Sequence, residues 1–346
     1  MNMKIAVAMS GGIDSTAAII KLLEQDHYCE GFTLLLYDDI EENNDSVSPA
    51  IKKAKQLAKE IGIKHHVVDL RKEFKETIIR YFIDSYLTGT TPNPCIFCNP
   101  IIKFGKLFEI IISLGFEKLA TGHYAIISSS DYGMVLQRGK DRTKDQSYFL
   151  SRIDKKILPH LVFPLGHFKK DDIRRFMENK GFYFSDEESQ EICFIPNDDY
   201  ESYLRKNAGE ITTGNFVTQT GKIAGTHKGI PFYTIGQRRG LGVSLGKPGY
   251  VRKINLEENS IEIGDKIWVD DFSVNNINVF IPELLDSVLT VKIRYRSEGE
   301  KCKIVRSSEN TWTIKLEKSM SSVTPGQAAV FYHGDTVVAG GILKKY

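Results

Sequence analysis

The residues able to do chemistry in this chain gather in one glycine turn and a few of its cysteines. The turn is Ala8–Thr16, AMSGGIDST, with Gly11 and Gly12 set between an apolar run and a helix-like stretch. A glycine pair lets the backbone adopt conformations that a Cβ would block. Successive N–H groups, together with the N-terminus of the following helix, can then face an anion, ideally a phosphate. Ser10 and Ser15 add hydroxyl donors, and Asp14 is placed to ligate magnesium. The pattern is neither the GxxxxGK[ST] loop nor the GxGxxG turn, and no P-loop lysine follows it. A nest that grips pyrophosphate in this way suits attack at the α-phosphate, with AMP passing to the substrate. A plain tight turn is the alternative.

Cysteines stand at positions 29, 95, 98, 193 and 302, an odd number with one close pair. That is not a disulfide framework, and a reducing, cytoplasmic setting is expected. Thr91–Phe104 reads TPNPCIFCNPIIKF. Prolines 92, 94 and 100 are expected to keep this segment out of helix until Ile101. Cys98 would then lie near the next helix N-terminus, where the dipole lowers a thiol pKa. CxxC also reads as half a zinc site, but a closed site usually needs a second pair, and the chain has none. Cys193 sits in EICFIP, inside Ser185–Glu201, which carries seven acidic residues and no basic one. Neighbouring carboxylates should raise its pKa. It suits a thiol activated by something else, or one that meets Cys98 later; an inert core thiol is the alternative.

Elements must position these groups. Lys4–Met9, Glu30–Leu36, Lys64–Leu70 and Lys118–His123 read as strands, and they alternate with helical patterns at Ser15–Gln25, Ser48–Gly62, Lys72–Leu87 and Ile102–Leu114. Ser48, Pro49 and Gly62 are the N-cap, first-turn and terminating residues of the second of these helices. Alternation of this kind gives a parallel sheet covered on both faces, with its ligand site beyond the carboxyl ends of the strands. The glycine turn falls there. Past about residue 205 glycine and β-formers take over. LTVKIRYR, TWTIKLE, QAAVFYH and TVVAGGIL suggest a small antiparallel barrel. The fold class expected is α/β, a parallel-sheet nucleotide domain over 1–204, then a small basic central domain over 205–273 and a C-terminal antiparallel β-barrel over 274–346.

The 346 residues suffice for two or three domains. No apolar run approaches the ~20 residues of a membrane span, and MNMKIAVAMS lacks the layout of a signal peptide. Net charge is only +2, yet Arg138–Arg175 holds eleven basic against five acidic residues, and Lys222–Lys253 holds seven basic and none acidic. Basic segments interleaved with Tyr, Phe, Gln and Gly meet the needs of a phosphate-backbone surface. Solvated faces would read the same way.

SGGIDS resembles the signature of the PP-loop ATP pyrophosphatases, which include GMP synthetases, argininosuccinate synthetases and tRNA-modifying enzymes. The longer motifs are more selective. PNPCIFCN followed by IKF, TGHYA, KDQSYFL, EICFIP, GTHKGIPFYTIGQRRGLG and VTPGQAAVFY occur here in the order found in one family. By them the chain resembles the tRNA-specific 2-thiouridylases of the MnmA family over essentially its whole length.

That resemblance implies ATP-dependent, magnesium-assisted conversion of the wobble uridine of tRNA to 2-thiouridine, through adenylation of the uracil C2 oxygen. It implies an ATP site formed by Ala8, Met9, Ser10, Gly11, Gly12, Ile13, Asp14 and Ser15, with Leu34 and Gly122 lining the adenine–ribose part. Cys98 falls where the family has its nucleophile, and Cys193 where it has the persulfide-bearing cysteine that forms a transient disulfide with Cys98. Asn93, Pro94 and Cys95 would face the flipped base. His123, Lys144, Asp145, Gln146, Arg294, Tyr295 and Gln327 match tRNA contacts. A persulfide sulfur-donor protein is the implied partner, with no membrane involved; the charge of the patch at Asp186, Glu187 and Glu188 suits docking of a basic donor. Two alternatives stay open: a [4Fe–4S] cluster on Cys95, Cys98 and Cys193, or adenylation of a small molecule. His27, His65 and His66 read as ordinary surface or strand-edge residues.

Overall fold

Strand β1 (Lys4–Ala8) buries Ile5, Ala6 and Val7 completely, which fixes it at the centre of a sheet. In this computed structural model residues 2–37, 48–185, 192–243, 246, 248–306, 308 and 310–344 are described, Arg306 by its backbone alone. They form two compact units, one comprising 1–77, 96–188 and 335–337, the other 78–95, 189–334 and 338–346.

The first unit carries five parallel strands in the order β3-β2-β1-β4-β7: β1, β2 (Tyr28–Leu35), β3 (His65–Asp69), β4 (Lys118–Ala120) and β7 (Leu161–Val162). The order runs outward from β1 to β3, then resumes on the other side of β1 at β4. The carboxyl ends of β1 and β4 therefore flank a topological switch point, the usual crevice for ligands in such sheets. Helix α1 (Ile13–Leu23) packs Ala17, Ala18 and Ile19 on the sheet. The following helix α2 (Pro49–Ile61) has Ser48 as N-cap, Pro49 in its first turn and Gly62 left-handed at its end, as expected. A hairpin of β5 (Ala125–Ser130) and β6 (Gly133–Arg138) follows β4.

Helix α3 (Arg71–Phe74) leads through a π-helical turn, Lys75–Ile79, into α4 (Arg80–Leu87). Helix α5 (Pro94–Cys98) passes without interruption into a π-helical stretch, Asn99–Leu107, and α6 (Phe108–Ser113). This corrects the expectation that prolines delay the helix until Ile101. Pro94 stands in the first turn, where a missing N–H costs nothing. Pro100 is absorbed by the wider π winding, which avoids the clash a proline makes with the carbonyl four residues back. Gly105 completes the accommodation, since a Cβ there would lie 2.6 Å from the Pro100 carbonyl oxygen. In the same unit α7 (Lys170–Asn179) sets Ile173 and Met177 into the core shared with α1, and Lys21 Nζ lies 3.5 Å from the Phe176 ring centroid.

In the second unit β8 (Gly214–Thr218), β9 (Ile223–His227), β10 (Tyr250–Asn255) and β11 (Ser260–Gly264) make a sheet ordered β10-β11-β8-β9. The remaining strands are β12 (Trp268–Val279), β13 (Leu289–Lys292), β14 (Glu300–Arg306), β15 (Thr311–Ser321), β16 (Ala328–His333) and β17 (Thr336–Leu343). They form an antiparallel barrel in the order β12-β15-β14-β13-β16-β17, closed by pairing of β17 with β12. The strand expected over LTVKIRYR stops at Lys292. Helix α8 (Tyr200–Asn207) meets α4 through aromatic rings, Tyr86 stacking on Tyr200 at 5.6 Å.

Candidate active site

The turn after β1 is held by the sheet on one side and by α1 on the other. Met9 donates its N–H to Phe32 O at 2.8 Å, and its carbonyl accepts from the Thr33 hydroxyl at 2.8 Å. Gly11 is left-handed, with φ +78, and a Cβ there would come within 3.1 Å of Ala50 O. Ser15 ties the turn together, its hydroxyl donating to Gly12 O at 3.0 Å and accepting from Ser10 N at 3.2 Å. Gly12 is the N-cap of α1 and offers no side-chain cap. The first N–H groups of α1 thus keep their capacity for an incoming anion. Gly122, just past β4, closes the other side: a Cβ on it would lie 2.7 Å from the Asp14 carbonyl carbon and 2.9 Å from Ser15 N. Only glycine lets the two backbones approach this closely at the switch point. Ala8, Ile13 and Leu34, the other expected nucleotide residues of the turn and of β2, are half-buried around it.

Asp14 is the polar centre of this turn. Its Oδ1 accepts from the Tyr124 hydroxyl at 2.8 Å and from Lys170 Nζ at 2.5 Å. Burial, and then the Asp14 carboxylate beside it, push the Tyr124 phenol far up, so it stays a neutral donor. Tyr124 also holds Gln146, donating its N–H to Oε1 at 3.0 Å and accepting from the Gln146 N–H at 2.8 Å. Lys170 N donates to Asp141 Oδ2 at 3.0 Å. Desolvation pushes the Asp141 carboxyl up, but that N–H and the N–H and hydroxyl of Thr143 outweigh it and hold the pKa below the usual range. Sequence reasoning missed Tyr124 and Lys170. The one available signal for Lys170 was a lysine opening a helix, where the dipole disfavours a cation.

The expected tRNA contacts divide by geometry. Asp145 is buried, its Oδ1 accepting from Gly139 N and Ser147 N and its Oδ2 from the Ser147 hydroxyl. It braces the turn that presents half-buried Lys144 and Gln146. In the second unit Gln327 Nε2 donates to Thr91 O at 2.9 Å and to Pro92 O at 3.3 Å, and Thr91 N donates to Pro325 O. Gln327 therefore holds the segment leading to Asn93, Pro94 and Cys95. Arg294 is exposed, with one nitrogen donating to Ser322 O and to Thr324 Oγ1, beside half-buried Tyr295.

His123 accepts from or donates to Thr121 Oγ1 through Nδ1 at 2.7 Å, with Phe104 and Phe163 each 5.8 Å away between ring centroids. Burial first and the Lys103 charge second drive its pKa well below the ordinary value of 6.5. Burial lowers His65 and His227 as well. A histidine whose folded pKa is depressed stabilises the fold above its unfolded pKa and loses that contribution as pH falls below it. Melting temperature is therefore expected to be level above about pH 7 and to fall from about pH 6.5 downward. His123→Gln should flatten part of that slope; an unchanged slope would exclude His123 as a contributor.

Burial sorts the cysteines. It pushes the Cys29 thiol up to about 11 and, with Glu300 adding, Cys302 up to about 12. Neither is suited to nucleophilic work near neutrality. Cys95 is half-buried on α5, Cys98 is buried at its end, and Cys193 is exposed. In the first unit Asn99 Nδ2 donates to Phe149 O at 2.9 Å and the Arg152 guanidinium lies 4.5 Å from the Phe97 ring centroid, so KDQSYFL and the CxxC helix support each other. In the second unit Cys193 is followed by Phe194, 5% exposed, whose ring meets Phe82 at 5.3 Å and Tyr203 at 5.6 Å. Removing that anchor by Phe194→Ala should cost about 3 kcal/mol, read by urea unfolding of the second unit; a loss under about 1 kcal/mol would show that the anchor is dispensable. Asp186, Glu187, Glu188 and Glu191 lie outside the described residues.

Among the described residues no group of three or more His, Cys, Asp or Glu side chains is arranged to hold a metal ion. A [4Fe–4S] site on the three cysteines does not fit that finding. Magnesium needs less from the protein, because it is commonly held by one or two carboxylates plus substrate phosphates, and Asp14 fits that role. No described helix is long and apolar enough to cross a membrane.

Three family models match successive segments of the chain. A family described as tRNA methyl transferase HUP domain matches residues 3–197, its PRC-barrel domain matches 201–265, and an aminomethyltransferase β-barrel domain matches 269–343. The tRNA-specific 2-thiouridylase MnmA of Syntrophomonas wolfei is 41% identical, over 99% of this chain and all of its own length. The tRNA-specific 2-thiouridylase MnmA 3 of Phocaeicola vulgatus is 38% identical over 98% of this chain and 94% of its own. Among solved structures, the U34-tRNA thiolase NcsA of Methanococcus maripaludis aligns with a TM-score of 0.35 at 19% identity, over 60% of this chain and 68% of that one.

Proposed function

The chain belongs to the MnmA family of tRNA-specific 2-thiouridylases, and from that premise we propose that it thiolates the wobble uridine of tRNA at C2, using ATP and a cysteine persulfide. The observation that carries the proposal is the uncapped N-terminus of α1, confined between Gly11 and Gly122 at the switch point of the sheet. That arrangement suits a polyphosphate. Magnesium, when bound by Asp14 and the phosphates, would supply charge neutralisation there.

Uracil oxygen is a poor leaving group, so it is activated first. The C2 oxygen attacks the α-phosphorus, forming the O–Pα bond as the bond to the β-phosphate breaks. The electron pair leaves on pyrophosphate and the N3 proton goes to water. The terminal sulfur of a Cys193 persulfide then attacks C2, and AMP departs with the former C2 oxygen. Cys98 thiolate attacks Cys193 Sγ, leaving sulfur on C2 and forming a Cys98–Cys193 disulfide. A dithiol reductant returns both thiols, and a persulfide-donor protein reloads Cys193. Asn93, Pro94 and Cys95 face the extruded base, while Lys144, Gln146, Arg294, Tyr295 and the basic Lys222–Lys253 segment hold the tRNA backbone. His123 stays neutral, its ring between Phe104 and Phe163. The three-part division at 205 and 274 assigns activation, with part of the tRNA contact, to the first part and further tRNA binding to the other two.

The test is mass spectrometry of tRNA nucleosides after incubation with ATP, magnesium and a persulfide source. Appearance of 2-thiouridine, with AMP formed only when tRNA is present, is the expected result. AMP formed from a small metabolite regardless of tRNA would overturn the proposal.

A further inference from the structure

Among the described residues of the first unit, one cation stands directly on the carboxylate of the anion turn. Lys170 Nζ is 2.5 Å from Asp14 Oδ1, although the two residues are 156 positions apart in the chain. We propose that Lys170 is a polyphosphate ligand for the adenylation step: it pairs with Asp14 and crosses to the β- and γ-phosphate oxygens when magnesium–ATP binds. This rests on the reading of the turn as an ATP site and deepens it.

Four observations support the exchange. The glycine turn carries no lysine of its own, unlike a P-loop, whose lysine reaches the terminal phosphates. The Lys170 backbone is fixed, because its N–H is held by Asp141 and α7 shares its core with α1. The side chain is only 20% exposed, so its ammonium is kept at the turn rather than in solvent. And Asp14 has a second donor, the Tyr124 hydroxyl at 2.8 Å, that keeps the carboxylate oriented once the lysine leaves. A four-carbon stem with a compact charge can swing between neighbouring anions without moving its helix. Magnesium, when bound, would take the same carboxylate that the lysine covers, and the incoming phosphates offer the lysine a more highly charged partner. The swap lets both cations serve one substrate.

The chemical consequence falls on the leaving group. As the uracil oxygen bonds to the α-phosphorus and the bond to the β-phosphate breaks, negative charge grows on the departing pyrophosphate. Lys170 neutralises it without giving or taking a proton.

The experiment uses the full chain and two readouts. Binding of inorganic pyrophosphate with magnesium, by calorimetry, probes the ligand role alone; tRNA-dependent pyrophosphate release probes turnover. For Lys170→Ala, pyrophosphate affinity should fall about tenfold or more and kcat for release about 100-fold, with KM for tRNA within about twofold of wild type. Lys170→Arg, which keeps the charge, should recover part of both, and it serves as the reading if the alanine variant does not fold. Lost turnover with unchanged pyrophosphate affinity would overturn the proposal and leave Lys170 as a brace for Asp14. Unchanged turnover would overturn it too. A wild-type protein that binds pyrophosphate through Lys170 but releases none with tRNA would sink the thiolation reading and spare this one.

Discussion

Cys98→Ser and Cys193→Ser are each expected to reduce 2-thiouridine formation at least about 1,000-fold while leaving magnesium–ATP binding within about twofold of wild type. The reason is that neither cysteine belongs to the nucleotide turn, Ala8–Thr16. A serine hydroxyl at 98 cannot attack Cys193 Sγ and release the sulfur bound to C2 at neutral pH, and one at 193 cannot carry a sulfane sulfur. The two variants should also differ. With Cys193→Ser no persulfide forms on the protein, so the fraction of chains carrying labile sulfur after donor treatment should drop to background. With Cys98→Ser the persulfide should still load. A variant of either kind that retains full thiolation would remove that cysteine from the mechanism. Gel-filtration profile and melting temperature should stay near wild type for Cys193→Ser, since that side chain is exposed.

Gly122→Ala should be nearly as damaging, for a reason that involves no functional group at all. The added Cβ would sit 2.7 Å from the Asp14 carbonyl carbon and 2.9 Å from its oxygen, and both are backbone atoms that cannot rotate away. Either β4's following loop or the first turn of α1 must shift, and both line the anion turn. Overpacking of this kind costs about 1–3 kcal/mol, and the displacement should lower the rate of tRNA-dependent pyrophosphate release about 100-fold. Persulfide loading on Cys193 should be unaffected. Gly62→Ala offers the control: that glycine is left-handed at the end of α2, but no atom lies within 4 Å of its added Cβ, so a stability loss without loss of pyrophosphate release is expected. If Gly122→Ala keeps wild-type release, the close approach is not what shapes the site.

Much of the frame could be read from residue order because its signals are local. Ser48, Pro49 and Gly62 mark α2 by cap and turn chemistry, and apolar runs between helical patterns mark the parallel strands. The barrel followed from short β-forming runs such as TWTIKLE, and in β15 Trp312 and Ile314 are buried between more exposed neighbours. The start of the CxxC helix was not legible, because a proline is read as a breaker unless its position in the turn is known. Pro94 is harmless in a first turn, and Pro100 is harmless only through a π winding that Gly105, five residues on, makes room for. Lys170 and Tyr124 were illegible for a different reason. Their partner, Asp14, is 156 and 110 positions away, and no periodicity records a contact that distant. Asp145 and Gln327 show the converse. Motif resemblance singled them out, and their polar atoms are engaged in holding loops.

The interior placement of Cys29 and Cys302 bears on fidelity over repeated turnovers. In the proposed reaction a thiol pair is oxidised every cycle, which exposes any spare thiolate to the same exchange, and five thiols allow ten couplings, nine of them wrong. Holding two sulfurs protonated in apolar surroundings, one raised to about 11 and the other to about 12, withdraws them from that competition. Three couplings then remain, so packing narrows the accidental cross-links open to the proposed cycle.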